Sequence, residues 1–250
     1  MKYRHILNIL GASLLFTGAS IFAQRPNAVP ENKYGLKVIS NQASYAATIA
    51  LDSNQRMVAV KDYFSPVLTN WYYARPGNFT GQVLYQNPEV LVRLPVAKAL
   101  ARVQAALRQR GFSLLFYDAY RPYSVTEKMW KIVPDERYAA NPAKGSGHNR
   151  GIAVDVTLAD LATGRELAMP TGFDDFSEKA HHDYMQLDSA VIANRLLLRT
   201  VMQAYGFTAL STEWWHYSYT GNAATDTATR FGILNLPFEA FLRRADQSLK

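Results

Sequence analysis

Between Pro95 and Gly111 the apolar residues Val96, Leu100, Val103 and Leu107 recur at i, i+4, i+7 and i+11, while Lys98, Arg102 and Gln109 lie elsewhere on the wheel. With proline near the first turn and glycine just past the end, this spacing predicts an amphipathic helix of about 16 residues. FSLLFYDAY (112–120) then reads as a buried strand, and Ser124 with Glu127 forms a capping-box pattern for a short helix through about Ile132. Pro134, Pro142, Gly145 and Gly147 predict a loop over 134–147. Beyond it, Ile152, Val154, Val156 and Leu158 alternate with Ala153, Asp155 and Thr157, which is the period of a strand. Thr163-Gly164 turns that strand towards a hairpin partner. A second long helix, apolar on only part of one face, is predicted from Asp188 to Tyr205, with Gly206 closing it. FTAL (207–210) leads to a short strand, EWWHYSY (213–219) follows, and NLPFEAFLRRADQSLK (235–250) reads as a terminal amphipathic helix.

Long helices mixed with short, hairpin-like strands predict an α+β fold with a small antiparallel or mixed sheet. The chain shows no internal repeat and no linker long enough to separate two domains, so one domain is expected over 46–230. Residues 24–45 are polar and read as an irregular arm, and 231–250 as a C-terminal extension of helical character. Residues 1–23 differ from all of this. Lys2 and Arg4 precede the apolar run ILNILGASLLFTGASIFA, which ends in small residues, as a secretory signal peptide cut after Ala23 does. An N-terminal membrane anchor is the alternative, since the run of about 18 residues sits at the lower limit for a span. The signal reading implies a periplasmic protein with no membrane span after cleavage.

Composition narrows the chemistry. Of the 250 residues 48% are hydrophobic, enough for a sizeable core. Cleavage after Ala23 leaves 25 basic residues against 20 acidic ones, a net charge of +5. That surplus suits an anionic cell envelope and is no nucleic-acid footprint. With no cysteine, disulfides, thiolate metal sites and a lipid-modified N-terminus are all excluded. Any metal must be held by His, Asp or Glu.

The stretch SGHNRGIAVDVTL (146–158) carries the first candidate pair. Asp155 projects opposite the Ile152/Val154/Val156 face of its strand, and Gly151 allows the entering loop to fold back and bring His148 over the same face. Once the signal is gone, the remaining histidines are His181, His182 and His216. His216 ends Glu213-Trp-Trp-His216, where one turn-like step before the strand places Glu213 and His216 on the same side. Two imidazoles and one carboxylate leave a fourth position on zinc for water, and a further carboxylate, Glu213, is the candidate to take that water's proton. Zinc is the default for such a set, although ligand type alone leaves other metals open. His181 and His182 could suggest a second metal; the preferred reading is a structural pair ending a short helix.

YARPGNFTGQVLY (73–85), YDAYRP (117–122), SGHNRGIAVDVTL, FDDFSEKAHH (173–182) and EWWHY (213–217) together resemble the zinc D-alanyl-D-alanine dipeptidases of the vancomycin-resistance type and their periplasmic relatives, in the family's order and approximate spacing. The resemblance covers about residues 60–220. It implies a D,D-peptidase/Hedgehog-like fold, one zinc per chain, the ligands His148, Asp155 and His216, and Glu213 as the catalytic base. Arg121 matches the arginine that stabilises the oxyanion, and Ser146, Asp174 and Tyr73 match positions near the ammonium group of a small D,D-dipeptide substrate. Hydrolysis of D-Ala-D-Ala is the expected activity. A peptidoglycan carboxypeptidase or endopeptidase acting on longer peptides, and a non-catalytic zinc-containing envelope-binding module, stay as alternatives.

Overall fold

A computed structural model describes residues 29–221 and 230–242 of the chain. The apolar run read as a signal peptide and residues 243–250 of the C-terminal extension lie outside the described residues. No helix among the described residues is long and apolar enough to cross a membrane.

The centre of the fold is a five-stranded mixed sheet in the order β3-β5-β6-β8-β7: Leu68–Thr69, Phe112–Asp118, Ala153–Asp160, His216–Tyr219 and Phe207–Ala209. β3 runs parallel to β5, and the remaining neighbours are antiparallel. Two long helices cover one face, α2 (Leu94–Arg108) against β5 and α5 (Ser189–Ala204) against β6 and β7, and they pack on each other. The stripe Val96, Leu100, Val103 and Leu107 is buried completely, as are Leu114, Phe116, Val154, Val156 and Leu158 of the sheet. Each such side chain contributes about 1.5–3 kcal/mol on burial. This layering is the α+β architecture that the two hydrophobic periods predict, and a hairpin-like return after β6 is present as the bridge between Ala159 and Glu166.

Three segments differ from expectation. The stretch 24–45 is not irregular throughout its described part. It contains β1 (Val38–Ile39) and opens α1 (Gln42–Leu51), whose N-terminus Asn41 caps by accepting from the Ser44 N–H at 2.8 Å. The C-terminal extension is not helical from its start, because Ile233–Leu234 forms a strand, β9, that pairs in parallel with β1, and only one turn, α6 (Glu239–Leu242), follows Pro237. The short helix α3 (Tyr123–Ile132) begins one residue before Ser124, so Ser124 lies inside the first turn and cannot cap it. The Ser124 N–H instead donates to Asn235 Oδ1 at 2.9 Å, a cap supplied from 111 residues away.

The C-terminal segment is joined to the core at several further points. The Tyr120 hydroxyl donates to Leu236 O at 2.8 Å and accepts from Leu236 N at 3.0 Å. Arg93, fully buried between β4 (Leu91–Arg93) and α2, donates to the carbonyls of Arg150 at 2.7 Å and Gly232 at 2.7 Å, and also to that of Gln55. Arg150 Nη1 donates to Phe231 O at 2.8 Å. Replacing Asn235 by Ala is expected to lower the stability of the full chain by about 1 kcal/mol in denaturant unfolding, the usual cost of a lost N-cap, with Asn235→Asp restoring it. Equal stability of the wild type and Asn235→Ala would contradict the long-range cap.

Candidate metal centre

Three adjacent strands bring the polar groups of the site into a row. In the ladder between β6 and β8, Asp155 lies directly opposite His216. Between β5 and β6 the register shifts after Phe116, a bulge that sets Asp118 opposite Asp155. A bulge of this kind re-aims a side chain without ending the strand. Asp118, Asp155 and His216 therefore sit side by side across the sheet, while Val154, Val156 and Tyr217 alternate to the helix-covered face.

His148 arrives from outside the sheet on a single helical turn, α4 (Gly147–Arg150), rather than on the loop expected there. Ser146 and Asn149 close a reciprocal capping box around the turn. Gly151 ends it in the left-handed region at φ 70°, where an added Cβ would also meet Met57 Sδ at 2.6 Å. Glycine is required there on both counts. The same turn is tied to the next functional segment: Asn149 Nδ2 donates to Arg121 O at 2.9 Å, and the Arg121 N–H to His148 O at 3.3 Å.

The expected donors converge. His148 Nε2 is 3.3 Å from His216 Nδ1 and 3.4 Å from Asp155 Oδ2, and His216 Nδ1 is 2.9 Å from Asp155 Oδ1. One donor atom from each residue lies within 4.8 Å of the others, a spacing that one metal ion can bridge. The far nitrogen of His148 is held by Ala119 O at 2.7 Å, and that of His216 lies 3.4 Å from Ser218 Oγ. Such outer partners fix the ring orientation that a metal-binding imidazole needs. Burial opposes ionisation of Asp155, but the charges and hydrogen bonds of the two imidazoles hold its carboxyl well below the usual range. Two nitrogens, one carboxylate oxygen and no sulfur fit a borderline cation such as zinc.

The rim residues surround a cleft of about 240 Å³. Glu213 lines it beside the turn that enters β8, where the His216 N–H donates to Glu213 O at 3.3 Å. Burial raises the Glu213 carboxyl above its ordinary value, and Asp155 adds to that while His216, His148 and Arg121 oppose it. Arg121 lines the cleft with Nε 2.8 Å and Nη2 2.6 Å from Asp118 Oδ2, and its guanidinium lies over the Tyr73 ring, 5.0 Å from the centroid. The Tyr73 hydroxyl donates to Asp174 Oδ1 at 3.0 Å, and Asp174 Oδ2 is buried with no hydrogen-bond partner. Burial pushes the Asp174 carboxyl well up, as does the charge of Asp155. Ser146 also lines the cleft, but its hydroxyl is engaged by Asn149 N at 3.2 Å.

Asp118 is the residue that the sequence reading missed. Fully buried, it accepts from Tyr85 OH and Ala119 N, both at 2.9 Å, besides holding Arg121, and it lies 3.7 Å from His148 Nδ1. An acid three residues before Arg121 in YDAYRP was the only local signal, and nothing in the sequence marks the bulge that turns it into the site. His181 and His182 lie after a short 3₁₀ turn, Glu178–Ala180, and no second group of three metal donors is gathered among the described residues.

Comparison with known proteins identifies the family. The model of the Peptidase_M15 family, described as D-ala-D-ala dipeptidase, matches residues 53–233. A D-alanyl-D-alanine dipeptidase of Escherichia coli is 38% identical over 145 residues, 58% of this chain and 75% of that protein. Namesakes from Enterococcus faecalis and Streptomyces coelicolor are 32% and 34% identical, each over 64% of this chain and 90% of theirs. Among solved structures, a vancomycin-resistance D,D-pentapeptidase, VanY, in complex with Zn(II) is 19% identical over 61% of this chain and 84% of that chain, with a TM-score of 0.34. VanYB in complex with D-alanine-D-alanine is 17% identical over 62% of this chain and 84% of that chain, with a TM-score of 0.36. The matched span 53–233 holds every donor and rim residue described above, and the chain belongs to the Peptidase_M15 family of D-Ala-D-Ala dipeptidases.

Proposed function

We propose that the protein is a zinc-dependent dipeptidase that hydrolyses D-Ala-D-Ala in the cell envelope, delivered there by an N-terminal signal peptide. The observation that carries this reading is the meeting of His148, Asp155 and His216 at the floor of a small cleft that also contains a separate carboxylate, Glu213, in a chain of this family. Zinc held by His148 Nε2, Asp155 and His216 Nδ1 would act as a Lewis acid, polarising the scissile carbonyl and lowering the pKa of water to about 7. Every other part of the reaction falls to the protein's own side chains. Glu213 takes the proton of the attacking water and passes it to the leaving amine, a role suited by a carboxyl that burial makes more basic than an ordinary one. Arg121, held from behind by Asp118, presents its guanidinium to the carbonyl oxygen as negative charge develops.

Asp174 reads the amino end of the substrate. Its Oδ1 is taken by Tyr73, whereas the buried Oδ2 lacks a partner that a substrate ammonium would supply. A lone buried carboxyl resists ionisation, and a bound cation offsets that cost.

Glu213→Gln is expected to lower kcat by about 10²–10⁴-fold with one zinc per chain still bound; near-normal turnover in a zinc-loaded variant would remove Glu213 from the reaction. Asp118→Asn is expected to lower kcat/KM by about 10–100-fold, the usual cost of losing a group that orients a ligand or catalytic side chain. Wild-type kinetics in that variant would show that Arg121 needs no such support. Asp174→Asn should raise KM for D-Ala-D-Ala more than it lowers kcat, and the opposite split would place Asp174 in the chemical step instead of at the ammonium.

A further inference from the structure

On the face of the sheet turned away from the metal donors, three polar side chains are buried with bonding capacity unfilled. His182 is 8% exposed, Arg195 3% and Tyr217 not at all. Neither ring nitrogen of His182 and not the Tyr217 hydroxyl has a hydrogen-bond partner. The two rings meet edge to face with centroids 6.1 Å apart. Arg195, on α5, donates from Nη1 to His181 O at 2.8 Å and from Nη2 only to the sulfur of Met185 at 3.7 Å. No carboxylate among the described residues lies within 4.0 Å of its guanidinium.

The charges around the cluster leave it positive. Arg199, one turn further along α5, adds a second guanidinium, and its field bears on His182, Arg195 and Tyr217 alike. Asp183 is the one acid whose field reaches His182 and Arg195, and it is exposed. Burial, with Arg199 and Arg195, pushes His182 down to about 4, so the ring is neutral at pH 7 and offers one N–H. A buried guanidinium without a counterion is unfavourable, and so are buried donors without acceptors. Water would satisfy the hydrogen bonds but would leave the charge uncompensated.

We propose that His182, Arg195 and Tyr217 bind a small inorganic anion of halide size, at a site separate from the metal cleft. A single negative charge balances Arg195, and a species that only accepts hydrogen bonds suits the His182 N–H, the Tyr217 hydroxyl and the spare guanidinium donors. Near-complete burial of all three groups excludes a bulky anion. Tyr217 follows the metal donor His216 on β8 and points the opposite way, so the anion braces the back of that strand against α5.

The test is thermal unfolding of the zinc-loaded full chain at constant ionic strength and pH 7.5, in gluconate, chloride or bromide. A halide is expected to raise the melting temperature by about 3–6 °C once it is tenfold above half-saturation. Arg195→Met and Tyr217→Phe should flatten that response. Should Arg195→Met fail to fold, Tyr217→Phe and crystals grown in bromide decide the matter, with an anomalous peak expected within hydrogen-bond reach of the Tyr217 hydroxyl. Equal melting temperatures in the three salts, a halide response that persists in Tyr217→Phe, or an ordered water alone at the position would each overturn the proposal.

Discussion

The site depends on strand register. Asp118, Asp155 and His216 are neighbours because β5, β6 and β8 pair as they do, and the one irregularity in those ladders, the bulge after Phe116, is what brings Asp118 into line. A slip of one residue in β8 would send His216 to the helix-covered face and put Tyr217 or Trp215 in its place. Register is held by burial: Val154, Val156 and Tyr217 are fully enclosed, so any slip would expose apolar surface and bury charge. The same hydrophobic packing that stabilises the fold therefore sets the distance between two of the three candidate metal donors.

The third donor is placed by polar contacts. His148 rides on a turn closed by its own capping box and a left-handed glycine, and this turn is anchored by Arg93 through the Arg150 carbonyl. Asn149 carries the connection on to Arg121, and the C-terminal segment holds the chain on either side of that arginine, Tyr120 by the Leu236 backbone and Ser124, three residues on, by Asn235. Arg121 and the candidate metal donor His148 on its helical turn thus share one hydrogen-bonded frame, with Asp118 completing it from below. Rigidity of this kind matters for a small cleft, since the donors aimed at a developing charge must already be in position before the charge appears.

Local patterns carried much of this in the sequence. The stripe of α2, the alternation of β6 and the glycines at 111, 151 and 206 each announce an element through its own neighbours, and each stands where its pattern places it. His148, Asp155 and His216 were legible as a possible set because few histidines exist and no cysteine competes. What stayed hidden is non-local. The pairing of β1 with β9 joins residues nearly 200 positions apart, the cap of α3 comes from Asn235, and Asp118 is turned into the site by a bulge that leaves no mark on composition. Ser124 and Glu127 have the spacing of a capping box, but Pro122 starts the helix earlier and the box never forms.

The convergence of three side chains on one cation is tested most directly by zinc content and X-ray absorption on the purified full chain and on His216→Ala. The wild type is expected to hold one zinc per chain in a shell of nitrogen and oxygen at roughly 2.0–2.2 Å, with imidazole scattering that His216→Ala loses together with most of its metal. Full zinc occupancy in His216→Ala, with an unchanged absorption spectrum, would show that the ion sits elsewhere and that the arrangement described here is not its site.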